Sequence, residues 1–206
     1  MDLFNTNEEL EIHPFNLQDA DVTLYKNFFT TTESNKLFKS LQETIEWKQE
    51  TAKLFDKEFD IPRLTALYGD PEKTYTYSGI LLNPIKWTDD LLFIKERVEK
   101  TTGDNFSSVL LNLYRSGNDC VHWHSDDKPE LGPNPTIASV SFGQARTFQL
   151  KHKLDPEIER VSIELDNGCM LLMKGTTQTF WLHQVPKSKT KMQPRINLTF
   201  RTISKI

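Results

Sequence analysis

Leu37, Leu41 and Ile45 recur at four-residue intervals within TTTESNKLFKSLQETIEW, on one face of a predicted helix. Thr30 and Glu33 stand at capping-box spacing, which marks its start. A second helix is predicted in WTDDLLFIKERVEKTTG, with Leu91, Ile94 and Val98 as the apolar stripe and Gly103 near its end. Between the two, residues 53 to 85 carry prolines, glycines and the β-prone run TYTYSGILL, so hairpins and loops are expected there. After residue 105 the chain reads as short strands separated by turns. Strands are predicted at 106–115, 136–143, 145–153, 160–166, 168–174, 178–185 and 194–203, a series that argues for a sandwich, a jelly roll or a barrel. The predicted fold class is α+β. One domain over 1–206 would comprise an N-terminal extension and helix (about 1–52), hairpins and a helix (about 53–104) and a β core (about 105–206).

The last strand carries the most information. In RINLTFRTI, Ile196, Leu198, Phe200 and Thr202 alternate with Arg195, Asn197, Thr199 and Arg201. Successive side chains of a strand point to opposite faces, so two arginines, an amide and a hydroxyl share one face. An amphipathic strand with that face in water accounts for the alternation. Two fixed guanidiniums beside an amide also suit a small dicarboxylate, which arginine binds through parallel charged hydrogen bonds. SSVLLNLYR is similarly mixed: Leu110, Asn112 and Tyr114 share one face, while Val109, Leu111 and Leu113 share the other. If both polar faces point into one interior, that interior would hold a polar, anionic ligand.

Composition narrows the partners. With 206 residues, 37% hydrophobic content, eight glycines and ten prolines, the chain is of a globular kind and long enough for a substantial core. A net charge of −4 gives no global field toward nucleic acid or anionic lipid, so a nucleic-acid partner needs a local basic patch. Cys120 and Cys169 make no CxxC or framework spacing, which suggests a reducing compartment. MDLFNTNEELEIH lacks the basic start and apolar run of a signal peptide. No apolar run approaches the roughly 18 residues of a membrane span. A soluble cytoplasmic monomer without a membrane partner is expected, nuclear in a eukaryote.

Candidate metal ligands lie in CVHWHSDDKPELGP. In an extended segment His124 and Asp126 share a face and can reach one ion, although most HxD tripeptides are only turns. Of the five histidines, His183 ends a strand predicted in the same β core. Two histidines and one carboxylate leave open positions on iron(II) for a chelating co-substrate and dioxygen. Zinc held by Cys120, His122 and His124 is the alternative, on a spacing unlike a zinc finger.

HSDD followed by TIASVSFGQARTFQLKHK, then GCMLLMKGTTQTFWLHQVPK, then QPRINLTFRTI resembles the AlkB family of iron(II)/2-oxoglutarate dioxygenases, closest to its duplex-DNA repair branch. The likeness covers roughly residues 55 to 203. It implies a double-stranded β-helix (jelly-roll) core, nucleotide-recognition hairpins upstream of it, and oxidative removal of alkyl groups from nucleobases with release of formaldehyde. Iron(II) would be held by His124, Asp126 and His183, which makes these the catalytic residues. 2-Oxoglutarate would chelate the iron, with Arg195 on its distal carboxylate, Arg201 nearer the chelating end, and Asn112, Tyr114, Asn197 and Thr199 completing the pocket. Dioxygen is the third reagent.

The substrate implied is alkylated DNA or RNA of the 1-methyladenine and 3-methylcytosine type, with the damaged base flipped into the pocket. Tyr75, Tyr77 and Ser78 match the segment that walls the base pocket, with Tyr77 stacking on the base. Phe55, or its rival Phe59, falls where a residue wedges into the vacated stack. Arg63 fits a phosphate contact. In PKSKTKMQPR, Lys187, Lys189 and Lys191 form a local basic strip that could hold phosphates. Two places after Asp126, where the family commonly carries a base-reading acid, this chain has Lys128, with Asp127 before it and Glu130 after it. The loop KLDPEIER is short and acidic where duplex-binding relatives have a longer basic one. Other readings are a 2-oxoglutarate oxygenase acting on a protein or small molecule, and a catalytically silent nucleic-acid-binding module.

Overall fold

The computed structural model describes residues 8–54, 57–71, 73, 75–77 and 80–204. A hairpin of β1 (Glu11–Phe15) and β2 (Asp21–Lys26) precedes helix α1 (Thr31–Thr44). Strands β3 (Lys48–Leu54) and β4 (Lys57–Gly69) pair with each other, as do the short β5 (Tyr75–Tyr77) and β6 (Ile80–Leu82). Helix α2 (Asp89–Thr102) follows. The first cap forms as its spacing requires: the Glu33 N–H donates to the Thr30 hydroxyl at 3.2 Å, and the Thr30 N–H donates to the Glu33 carboxylate at 3.0 Å. Two amides that the first turn leaves without partners are thereby satisfied. α2 begins at Thr88, whose hydroxyl accepts from the Leu91 N–H, and ends at Gly103 with φ 74°, where a side chain would be strained.

From β7 (Ser108–Tyr114) onward the chain shuttles between two sheets. β8 (Val121–His124) enters the small sheet and β9 (Ile137–Gly143) returns to the large one. β10 (Arg146–His152) and β11 (Val161–Leu165) lie in the small sheet, and β12 (Met170–Lys174) in the large one. A single turn of helix, α3 (Thr177–Phe180), leads into β13 (Trp181–Val185) of the small sheet, and β14 (Arg195–Arg201) closes the large one. The large sheet runs β1-β2-β12-β9-β14-β7-β4-β3 and the small sheet β11-β10-β13-β8, every pairing antiparallel. That interleaving is the double-stranded β-helix, or jelly roll, and with the two helices it makes the fold α+β.

Apolar cores pack on both faces of the large sheet. On one, Leu37 and Leu41 of α1 and Leu91, Ile94 and Val98 of α2 pack against Leu111, Val140, Leu198 and Phe200. On the other, Leu110, Ile137 and Leu171 meet Phe148, Leu150 and Ile163 of the small sheet. The alternation in SSVLLNLYR therefore separates two cores rather than core from solvent. Three elements differ from the sequence expectations. The β1–β2 hairpin, within the expected N-terminal extension, adds two strands to the large sheet beside β12. Its signal was the period-two pair Val22 and Leu24, both buried. β4 pairs with β7, so part of the expected hairpin region also belongs to the large sheet. The strand predicted from 178 starts at Trp181, because α3 occupies the residues before it.

Candidate active site between the sheets

β14 pairs with β7 and β9 in a register that gathers polar side chains on the face toward the small sheet. Arg195 lies opposite Tyr114 and Gly143, Asn197 opposite Asn112 and Ser141, and Thr199 opposite Leu110 and Ser139. Asn197 Nδ2 donates to Ser139 Oγ at 2.7 Å and to the Val140 carbonyl at 3.1 Å, and Thr199 Oγ1 donates to Asn197 Oδ1 at 3.1 Å. Arg195 is 1% exposed, and its Nη2 donates to Ser141 Oγ at 2.9 Å. Its Nε and Nη1 find no acceptor among the described residues. Tyr114 lies under two cations, with its ring centre 5.1 Å from the Arg195 guanidinium and 5.5 Å from that of Arg146. A buried cation with unmet N–H groups costs several kcal/mol in order-of-magnitude terms. A carboxylate would satisfy both nitrogens, so this end of the cavity fits an acidic ligand.

Three candidate ligands lie toward the other end. His124 closes β8 and stands in register with His183 on β13, the two rings 4.3 Å apart between centroids. His124 Nδ1 donates to the His122 carbonyl at 2.8 Å, which leaves Nε2 with a free lone pair. Burial pulls His183 down to about 3, with His124 adding to the effect, and burial also lowers His124. Both rings are therefore neutral at pH 7, the ligating form. Asp126 lies two residues past β8 and is 2% exposed. Burial alone would raise its pKa, but the Arg201 guanidinium outweighs that and holds the carboxyl below its ordinary value. Arg201 Nη2 donates to both Asp126 oxygens, at 2.8 and 2.9 Å. Among the described residues no three such side chains already converge on one point. The donor set itself, two neutral imidazoles and one ionised carboxylate, fits a divalent transition metal.

These ends belong to one cavity of about 460 Å³, counting its open mouth. It gathers His124, Asp126 and His183 with Asn112, Tyr114, Arg195, Asn197, Thr199 and Arg201. Phe148 stacks on the His183 ring with centroids 5.3 Å apart, and Leu110, Val121, Met173 and Val185 supply apolar wall. Ser139 and Ser141 were absent from the sequence candidates, although their alternation with Ala138, Val140 and Phe142 in IASVSFG was available to find them.

Other expected positions fall elsewhere. Arg63 does not meet the surface a phosphate would need. It is 3% exposed on the inner face of β4, and its Nε and Nη1 donate to Asn112 Oδ1 at 2.7 Å and the Cys120 carbonyl at 2.8 Å. Asp127 is half-exposed and paired with Lys153 at 3.0 Å, next to the exposed Lys128. Lys187, Lys189 and Lys191 are exposed between β13 and β14. Tyr75 and Tyr77 sit on β5, while Phe55 and Ser78 lie outside the described residues. His122 points its Nε2 toward the buried Cys120 Sγ at 3.9 Å, and burial raises that thiol.

Comparison with known proteins agrees with this geometry. A family model described as the 2OG-Fe(II) oxygenase superfamily matches residues 21–201. The chain is 46% identical over 190 residues to human alpha-ketoglutarate-dependent dioxygenase alkB homolog 3, covering 88% of this chain and 66% of that protein. It is 38% identical over 188 residues to the DNA oxidative demethylase ALKBH2 of Mus musculus, covering 87% of this chain and 79% of that one. The chain thus spans just under two thirds of the length of the first of these relatives. Among solved structures, that of OsALKBH1 superposes with a TM-score of 0.64 at 18% identity, over 91% of this chain and all of the other, which shows the shared fold.

Proposed function

The chain belongs to the 2OG-Fe(II) oxygenase superfamily and to its AlkB family, and from that premise we propose that it removes alkyl groups from nucleic-acid bases by oxidation. The lesions would be of the 1-methyladenine and 3-methylcytosine type, with DNA as the substrate and RNA an arm of the test. One observation carries the reading: a single cavity holds two neutral imidazoles and a carboxylate toward one end and a guanidinium with two unmet N–H nitrogens toward the other. Iron(II), 2-oxoglutarate and dioxygen together supply an oxidant that hydroxylates the alkyl carbon, with succinate and carbon dioxide as co-products and formaldehyde leaving the base.

His124, His183 and Asp126 would hold the metal. The His124 Nδ1–H bond to its neighbour's carbonyl keeps the ring turned and its Nε2 unprotonated. Arg195 would receive the distal carboxylate of 2-oxoglutarate, with Tyr114 beneath it and Asn112, Asn197 and Thr199 as polar wall. Arg201 stays on Asp126 and keeps it ionised. Phe148, stacked on the His183 ring, and Val185 would shield the histidines from water. For the nucleic acid, Tyr75, Tyr77 and Ser78 would wall the base, Phe55 would fill the gap that it leaves, and Lys187 and Lys189 would meet phosphates. Base reading falls to Lys128 and Asp127. The Lys153 partner of Asp127 leaves its carboxylate less available than a free acid. Arg63 has no part in nucleic-acid contact. Among the described residues no helix is long and apolar enough to cross a membrane, and both cysteines are free. A monomer in the cytoplasm or nucleus completes the proposal.

The test incubates the protein with iron(II), ascorbate, 2-oxoglutarate and methylated single-stranded DNA, duplex DNA or RNA, and follows the bases by mass spectrometry. Demethylated base is expected. No turnover on any of the three by metal-loaded protein overturns the reading. Succinate formed only with a protein or small molecule would assign the chemistry to another substrate.

A further inference from the structure

The two candidate histidine ligands are placed by the sheet itself, since β8 and β13 pair with His124 opposite His183. Asp126 has no such support. β8 ends at His124, so the carboxylate ligand sits on a segment without a ladder partner. What holds its backbone is a side chain. The Asp126 N–H donates to Gln178 Oε1 at 2.8 Å, and Gln178 is 1% exposed. Only the amide oxygen can accept from an N–H, so this bond fixes the amide's orientation, and Nε2 points to Met173 Sδ at 3.5 Å.

We propose that Gln178 is a positioning residue for the metal site, tying the Asp126 segment to the element that carries His183. This role rests on the oxygenase reading above. Gln178 lies on α3, which runs directly into β13. α3 is itself anchored, because the buried Thr177 hydroxyl accepts from the Asp21 N–H at 2.9 Å and donates to the Lys174 carbonyl at 2.6 Å. A second strap reinforces the first. Lys153 Nζ donates to the Gln178 carbonyl at 2.8 Å and to the Asp127 carboxylate at 3.0 Å, and the Lys153 N–H donates to the Phe180 carbonyl at 2.7 Å. Asp126 is thus gripped at its backbone by Gln178 and at its carboxylate by Arg201, two independent holds on one residue. Leucine at 178 has similar bulk and no acceptor, and it would leave a buried N–H unpaired. Asparagine is one methylene short.

The experiment is a double-mutant cycle on the full chain, read by Ni(II) titration of apoprotein in a calorimeter, with melting temperature followed alongside. Ni(II) is the probe because imidazole ligands hold it more tightly than iron(II), so the site still reports when one ligand is lost. In the native background Gln178→Leu should weaken Ni(II) binding about 10- to 100-fold, the usual scale for a partner that orients a ligand. In an Asp126→Ala background the same substitution should change the affinity less than about twofold, since no ligand remains to position. Equal losses in both backgrounds would mean general damage and overturn the role, as would no loss in either. Should Gln178→Leu fail to fold, Gln178→Asn runs the same cycle. Wild-type protein that takes up no Ni(II) would overturn the oxygenase reading and this role together. Wild-type uptake with an unchanged Gln178→Leu would overturn this role alone.

Discussion

Ile196, Leu198 and Phe200 on one face of β14, and Arg195, Asn197, Thr199 and Arg201 on the other, are all buried, but burial has opposite consequences for the two sets. The apolar set packs under α1 and α2 and gains from leaving water, at roughly 25 cal/mol per Å². The polar set loses hydration and recovers it only bond by bond, through Ser139, Ser141 and Asp126. Arg195 does not recover all of it. One face therefore holds the fold together, and the other is held by it. A residue that costs stability where it sits is one whose use lies in binding.

Substitutions can break that division. The largest effect should come from His124→Ala, with turnover falling more than about 1000-fold while the melting temperature moves by only a few degrees. A collapse of the fold would show that the polar face also carries stability. Arg195→Gln should raise the KM for 2-oxoglutarate about 100-fold, measured by succinate formation, with denaturant stability unchanged or higher because unmet N–H groups are removed. Leu198→Ala should do the reverse, costing about 3 kcal/mol in urea unfolding and leaving the KM of the folded protein near wild type. The smallest effect belongs to a polar contact on the helix side. Arg97 donates to both Glu33 oxygens, at 2.7 and 3.0 Å, and outweighs the opposing effect of burial, so Glu33 falls from its ordinary 4.5 to about 2. A depressed carboxyl stabilises the fold fully above its unfolded pKa and loses that contribution as pH falls toward the folded one. The pair is about one third exposed, and solvent screening reduces its worth to about 1 kcal/mol. Glu33→Gln should be less stable than wild type at pH 7, with the two unfolding curves converging as the pH drops below 4.5.

How much of this was legible depends on how local each signal is. The alternation in RINLTFRTI, the helical pair Leu37 and Leu41, and the Thr30–Glu33 cap are each written within one element and appear in the structure, while Ile45, the third of the expected stripe, is buried just past the helix end in an extended cap. Arg63 falls in IPRLTALYG, where Arg63 and Thr65 alternate with Leu64 and Ala66 but Ala66, Leu67 and Tyr68 then run apolar together. That pattern does not show that β4 has a strand on either side and a core on both faces. β8 is four residues long and has a register shift against β13, too short and irregular for a periodic signal. Gln178 had no local signal at all, because its partner Asp126 lies 52 positions away. The motif residues could be read; the residues that aim them could not.

β14 has a further consequence, for the order in which the molecule can assemble. It lies between β7 and β9, yet residues 115–194 separate it from the first and 144–194 from the second. On a ribosome, most of the large sheet is made before its middle strand exists. Until then the strands bound for its two sides have no shared ladder, and β7 and β9 each offer an open edge to other chains. Assembly must close long loops around a late insertion, which places this chain among slow, high-contact-order folders. The segment that completes the anion end of the cavity is also the one that joins the two halves of the sheet, so a nascent chain would gain its chemistry and its cohesion in the same step.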